Sequence, residues 1–439
     1  MSLLQVDYRL QKLNTLLKII EYHEPNIEAA LKKDLGKSDF ESYATETGFV
    51  LEELKFIIKH LKSWAKPKKV PTPLAFFPGK SFIEPMPFGK VLVMAPWNYP
   101  FQLSFSPLIG ALAAGNNVVV KPSEFTPAIN EVIKKIISSC FTPTEVSVVE
   151  GGVEETKRLL ENKFDYIFFT GSTEVGRSVM MKAAETLTPV TLELGGKSPL
   201  FIHDGMDLHV AAKRCVWGKF TNAGQTCVAP DYVLVPFKHQ QQFIELLKFY
   251  IKSFYSSEVE KSPDYGRIIN DRHFTRLVSL IDKDKIAFGG FSKRATRYIS
   301  PTVLKDIDWN HEIMKEEIFG PILPVLPYVD ENEALKFIQN RPKPLAFYLF
   351  SEDKAFTEKT LTDLCFGGAC VNDTLVHLGN PHLPFGGVGA SGMGSYHGKK
   401  SFETFSHYKS IYKRSSWMDI PVRYPPYKNK MKWLKLFLG

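Results

Sequence analysis

KVLVMAPWNYPFQLSFSPLIGALAAGNNVVVKPSE, Lys90–Glu124, holds two short apolar runs, VLVMA and NVVV, on either side of a helix-length segment rich in Leu, Ala and Phe. The runs are hydrophobic at successive positions rather than at alternate ones, as strands covered on both faces require. Strand, helix and strand in this order predict a βαβ unit of a parallel sheet. The alternation continues downstream: TPAINEVIKKIISS reads as a helix, EVSVVEG as a strand, VEETKRLLEN as a helix and FDYIFFTG as a strand. TEVGRSVMMKAAETL then reads as a helix and VTLELGG as a strand. The expectation is a doubly wound α/β domain ending near Glu193, with a nucleotide or similar ligand at the carboxyl ends of its strands.

Upstream, residues 3–65 read as helices, because Leu, Ile and Phe recur at three- and four-residue spacing in LNTLLKIIEY and LEELKFIIKHL. KPKKVPTPLAFFPGK, with prolines at 67, 71, 73 and 78, then predicts an extended linker or an edge segment. Downstream lies a second α/β pattern: SPLFIHD strand, DLHVAAKRCVWGKF helix, DYVLVP strand, HQQQFIELLKFYIKSF helix, and strands at GPILPVLPYV, LAFYLF and GGACVN. The last part is glycine-rich and then β-prone.

A chain of 439 residues with 44% hydrophobic content can build two or three cored domains. No apolar run approaches the roughly 18 residues of a membrane span, and the amino terminus lacks a signal-peptide pattern, so the expected location is cytoplasmic. Five cysteines, at 140, 215, 227, 365 and 370, form no metal-like or disulfide-like spacing, so neither a metal nor a disulfide framework is expected. The net charge of +8 sits almost wholly in the tail: from Lys409 onward there are eight basic residues against one acid, Asp419. A nearly neutral body argues against nucleic-acid binding.

Cys227 reads either as a small core hydrophobe, the commonest role of a lone cysteine, or as a nucleophile; the small polar stretch TNAGQT before it favours the second, because it predicts an exposed turn and a thiol partly open to solvent. Cys140, Cys215, Cys365 and Cys370 read as structural. A thiolate that attacks a carbonyl needs oxyanion donors and, for hydrolysis, a base. Asn98 reads either as a turn residue ahead of Pro100 or as a donor at a strand end. Glu193 interrupts an apolar strand, and a carboxylate there is either paired or raised in pKa at a strand-end site. GSTEVG, Gly171–Gly176, follows a strand and opens a helix, so its N–H groups could meet a pyrophosphate, but it is not G-x-G-x-x-G and is a weak signal taken alone. KPSE, Lys121–Glu124, reads either as a solvated loop or as a pair for ribose hydroxyls.

PWNYPF, KPSE, FFTGSTEVG, ELGGKSP, NAGQTCVAPDY, EEIFGP and PFGGVGASGMGSYHG occur in this order in one chain. Together they closely resemble the NAD(P)-dependent aldehyde dehydrogenase superfamily, from roughly residue 5 to 412. VAPDY after the cysteine and GMGSYHGKKSFETFSH resemble its class 3 branch, which includes fatty-aldehyde and benzaldehyde dehydrogenases. The resemblance implies a Rossmann-type cofactor domain in 1–66 and 88–193 and an α/β catalytic domain in 194–378. It also implies a small β oligomerisation, or bridging, segment in 67–87 and 379–439, and a homodimer.

By the same resemblance Cys227 matches the nucleophile, Asn98 the side-chain half of the oxyanion hole and Glu193 the base that activates water. Glu317 and Phe319 match contacts to the nicotinamide end, and Lys121 and Glu124 contacts to the adenosine ribose. Gly171 and Ser172 match the pyrophosphate turn, Trp97 a wall of the cofactor pocket, and Phe385 a residue near the nicotinamide ribose. Ala390 departs from the family, where a polar residue is more usual. The implied reaction is oxidation of an aromatic or medium- to long-chain aliphatic aldehyde to the acid with NAD or NADP. Acyl transfer to coenzyme A and a non-catalytic binding or structural role on the same fold are the alternatives; Glu193 argues against the first and the intact Cys, Glu and Asn set against the second.

The tail, KNKMKWLKLFLG, puts Met431, Leu434 and Leu438 on one helical face, with Trp433 and Phe437 alongside and Lys428, Lys432 and Lys435 on the other. Such a helix either docks on the protein or its dimer partner, or lies in a lipid interface; it is too short to span one.

Overall fold

The computed structural model describes residues 5–419 and 421–438. Its first sheet has six strands in the order Gly392–Met393, Val190–Glu193, Tyr166–Thr170, Lys90–Met94, Asn117–Lys121 and Val146–Val148. Five are parallel, and the Gly392–Met393 strand runs antiparallel to Val190–Glu193. The strand Lys90–Met94 shows why successive positions are apolar. Val91 and Val93 join the large core beneath the amino-terminal helices, while Leu92 and Met94 join a second core on the opposite face with Phe164, Phe169 and Val179. Both faces of the pleat are buried, so neither set of side chains can be polar.

On the first face, helix Val6–Leu35 packs on Pro127–Cys140 and on Gly48–Trp64, and helix Pro100–Ala114 is buried at every position. Residues 3 and 4 of the expected helical region lie outside the described residues. The chain leaves Lys90–Met94 toward Asn117–Lys121 on one side and Tyr166–Thr170 on the other, so a crevice opens beyond the carboxyl ends of Lys90–Met94 and Tyr166–Thr170.

The second sheet has seven strands in the order Ile286–Phe288, Thr302–Leu304, Ile322–Tyr328, Tyr232–Pro236, Pro199–Ile202, Ala346–Phe350 and Gly368–Val371. All are parallel except the outer Ile286–Phe288. A three-stranded antiparallel sheet joins Lys68–Val70, Gly79–Pro87 and Ser406–Arg414. Only part of the 379–439 segment therefore joins 67–87. Before Ser406 the chain returns to the first sheet: Gly392 lies opposite Glu193, and helix Gly398–Thr404 packs on Pro100–Ala114. Glycine makes this close approach feasible, since a Cβ on Gly392 would collide with the carbonyl of Leu192 and one on Gly110 would press on Ser401.

The tail forms helix Met431–Leu438, which comes against the turn Leu74–Phe76. Met431, Trp433 and Leu434 remain exposed, as do Lys432 and Lys435. Phe437 and Leu438, on which the amphipathic reading also rests, lie outside the described side chains. Among the described residues no helix is long and apolar enough to cross a membrane.

Candidate active site

The crevice between the two large sheets is a cleft of about 550 Å³. It is lined by Trp97, Asn98, Gly171, Ser172, Glu193, Cys227, Glu317 and Phe319, residues from five separate stretches of sequence. Lys121, Glu124 and Phe385 lie outside this lining. Lys121, at the end of its strand, is buried and donates to the carbonyl of Pro122 at 3.0 Å, while Glu124 is exposed. Phe385 is buried and stacks on His397.

The turn before Cys227 departs from expectation. Thr221–Thr226 is buried throughout rather than exposed, and only Cys227 keeps partial access to the cleft. A polar segment can be buried when its groups bond to one another and to their neighbours. Asn222 Nδ2 donates to the carbonyl of Asn98 at 2.8 Å, and Gln225 Nε2 to the carbonyls of Asn222 and Arg267, each at 3.0 Å. Gln225 Oε1 accepts from the N–H of Ile269 at 3.0 Å, and the hydroxyls of Tyr99 and Thr226 meet at 2.5 Å. Asn222, Ala223 and Gly224 are left-handed in succession, with φ of 52°, 51° and 75°. A Cβ on Gly224 would strike the carbonyl of Gly320, so glycine is required there. An alanine held at positive φ stores strain of about 1 kcal/mol, of the kind that clusters at functional sites.

Asn98 is 2% exposed and its Nδ2 donates to the carbonyl of Gln225 at 3.0 Å. An amide nitrogen carries two N–H groups, so a second donor remains on the cleft wall beside Cys227. Glu193 ends its strand at 2% exposure, and among the described residues neither carboxylate oxygen has a hydrogen-bond partner. Burial alone drives its pKa well above the ordinary carboxylate range. Burial also raises the Cys227 thiol, and the nearby Glu317 and Glu193 carboxylates raise it further. The resting sulfur is therefore a thiol at neutral pH, and attack on a carbonyl requires that its proton be taken up.

The outer cleft fits a dinucleotide. Helix Thr173–Ala184 begins at the cleft wall, with Ser172 as its N-cap, and its free N–H groups favour an anionic phosphate. Lys197, Arg276, Arg341 and Lys343 line the same cleft and were not singled out from sequence, since they come from three separate segments and form no pattern in any one of them. Trp97 meets Phe319 edge-on at 5.3 Å and His273 at 5.0 Å, forming an aromatic wall for a flat ring. His273 is pushed down to about 4 by burial and by Arg276 and Arg272, so it is neutral there. Glu317 lies so close to Gly195 that any side chain at 195 would displace its carboxylate. Burial and neighbouring Asp231 raise Glu317 to about 8. Among the described residues no group of three His, Cys, Asp or Glu is arranged to hold a metal ion. Cys140, Cys215 and Cys370 are buried, and Cys365 is exposed.

The profile of the aldehyde dehydrogenase family matches residues 1–411. The chain belongs to this family. It is 51% identical over 434 residues to the 4,4'-diaponeurosporen-aldehyde dehydrogenase of Staphylococcus aureus (strain NCTC 8325 / PS 47), covering 98% of this chain and 95% of that one. It is 45% identical over 428 residues to the "Aldehyde dehydrogenase, dimeric NADP-preferring" of Canis lupus familiaris, covering 97% of this chain and 94% of that one. The solved structure "Substrate bound state of Staphylococcus Aureus AldH" superposes with a TM-score of 0.98 at 50% identity, covering 100% of this chain and 96% of that one. The enzyme is an oxidoreductase of the aldehyde dehydrogenase fold that converts an aldehyde to the carboxylic acid with NAD or NADP.

Proposed function

We propose that Cys227 is the nucleophile, Asn98 the side-chain oxyanion donor and Glu193 the general base of an aldehyde oxidation that ends in hydrolysis. The observation that carries this reading is that a half-buried thiol, a buried amide with a free N–H and an unpartnered buried carboxylate line one cleft. The thiol gives up its proton to solvent in the cleft as sulfur attacks the aldehyde carbon, which leaves the Glu193 carboxylate free for the second half. The second N–H of Asn98 and the backbone N–H of Cys227 hold the oxyanion, in a water-poor site where such donors act most strongly. Bound in the outer cleft, NAD or NADP supplies the hydride acceptor. The acyl group is then left as a thioester on Cys227, and Glu193 takes a proton from the water that releases the acid.

Trp97, Gly171, Ser172, Glu317 and Phe319 hold the cofactor, with Lys121, Glu124 and Phe385 completing its contacts from outside the cleft lining. Substrates are apolar: aromatic or medium- to long-chain aliphatic aldehydes. The test is an aldehyde panel assayed with NAD and with NADP, with and without coenzyme A. Free acid formed at a rate indifferent to coenzyme A supports hydrolysis, and an acyl-coenzyme A product overturns it.

The enzyme works as a homodimer, in keeping with its dimeric canine relative. It resides in the cytoplasm and attaches to anionic membranes through its tail. What supports the attachment is that Met431, Trp433 and Leu434 keep much of their apolar surface exposed while Lys432 and Lys435 supply charge for a lipid headgroup.

A further inference from the structure

Behind Asn98, on the side away from the cleft, lies a charged pair from the amino-terminal helices that the chemistry above does not use. Lys37 and Glu46 are both fully buried and form an ion pair. Lys37 Nζ also donates to the backbone carbonyl of Asn98 at 3.0 Å and sits 4.0 Å from the centre of the Tyr99 ring. The three donors of its ammonium group thus meet a carboxylate, a carbonyl and an aromatic face. The second oxygen of Glu46 accepts from the N–H of Phe101 at 2.8 Å and of Gln102 at 3.2 Å, in the first turn of helix Pro100–Ala114. Between them the two side chains grip the Asn98–Gln102 turn at both ends.

The backbone that delivers this pair is itself unusual. Lys37 follows Gly36, the left-handed cap of helix Val6–Leu35, and Glu46 lies in a π-helical turn, Tyr43–Thr47. Such turns are rare and recur at functional sites. Burying an ion pair is often no better for stability than burying apolar side chains of the same volume, so stability alone is a weak reason for this one. Its contacts point to geometry instead. The carbonyl that Lys37 holds is also held by Asn222, and the Asn98 side chain is tied to Gln225, two residues before Cys227.

We propose that Lys37, paired with Glu46, is a positioning residue for the oxyanion amide: it fixes the backbone of Asn98 so that the free N–H of the side chain points at the carbonyl under attack by Cys227. This rests on the role given to Asn98 above. Misplacing a catalytic group by about 1 Å can cost on the order of a hundredfold in rate, so a sizeable share of the Asn98 contribution depends on this anchor.

A double-mutant cycle tests it, with turnover normalised to folded sites by stoichiometric thiol titration and cofactor binding. Lys37→Met alone is expected to lower kcat about tenfold or more, with the KM for NAD changed less than about twofold. On the Asn98→Ala background the same substitution is expected to change kcat less than about twofold, because there is no amide left to position. An equal loss on both backgrounds, or no loss in the single variant, overturns the proposal. Should Asn98→Ala itself keep full kcat, the reading of Asn98 fails first, so the two failures are distinct. If Lys37→Met does not fold, Glu46→Gln, nearly the same shape without the charge, runs the same cycle and is read the same way.

Discussion

The side-chain amide of Asn98 donates to the backbone carbonyl of Gln225 at 3.0 Å, joining two segments 127 residues apart. One N–H of the amide is spent in holding Asn98 against the turn before Cys227, and in the proposed mechanism the other serves the oxyanion. Replacing Asn98 by Ala removes both. Loss of one oxyanion donor costs about 10²–10³ in kcat. Asn98→Ala is expected to fall in that range while its affinity for NAD, measured by fluorescence titration, stays within about twofold of the parent.

Activity and stability are expected to move in opposite directions with rising pH. Glu193 must be ionised to act as a base, and burial raises its pKa, so kcat climbs at a pH above the ordinary carboxylate range. Burial also raises Glu53 to about 7, and burial with Asp231 raises Glu317 to about 8. A carboxyl raised in the folded state binds protons more tightly there than when unfolded. Its stabilising contribution is full below its ordinary pKa and is lost as pH rises through the raised value. His273, His377 and His397, lowered to about 4 by burial, act in the opposite sense, but only below about pH 6.5. Between about pH 6.5 and 8 the Tm should therefore fall, and Glu53→Gln should flatten the fall. A Tm that climbs across this window contradicts the assignment.

The strands were legible because their side chains are buried on both faces, which leaves runs such as VLVM and YIFF without a charged or solvent-facing position. Glu193 stood out for the same reason, as a charge inside such a run. The TNAGQT turn was misread because a polar segment looks like surface when its partners are unknown. Asn98, Arg267 and Ile269, which satisfy it, lie some 40 to 130 residues away in sequence. Lys37 and Glu46 were invisible for a related reason: nothing near LGKSDFES says that this lysine is buried beneath residue 98. The return of Gly392 to the first sheet was hidden by its glycine-rich surroundings, where close backbone approach replaces side-chain pattern.

For the tail, ending the chain at Tyr427 removes Met431, Trp433 and Leu434 together with Lys428, Lys430, Lys432 and Lys435. The full chain is expected to co-sediment with phosphatidylserine-containing liposomes and to be released as salt is raised, because the lysines act through a screened field. The shortened chain should stay in the supernatant with unchanged kcat on a water-soluble aldehyde. Equal sedimentation of the two would assign the tail to protein contacts instead.

The central claim is that Cys227 carries the acyl group until Glu193 releases it, and the intact mass of Glu193→Gln after mixing with NAD and benzaldehyde tests this most directly. Glutamine keeps the shape of the side chain but cannot accept a proton. The account predicts one benzoyl adduct per chain on Cys227, formed with one equivalent of NADH and no further turnover, and absent from Cys227→Ala. Continued turnover at the parent rate, or NADH formation without an adduct on Cys227, would contradict it.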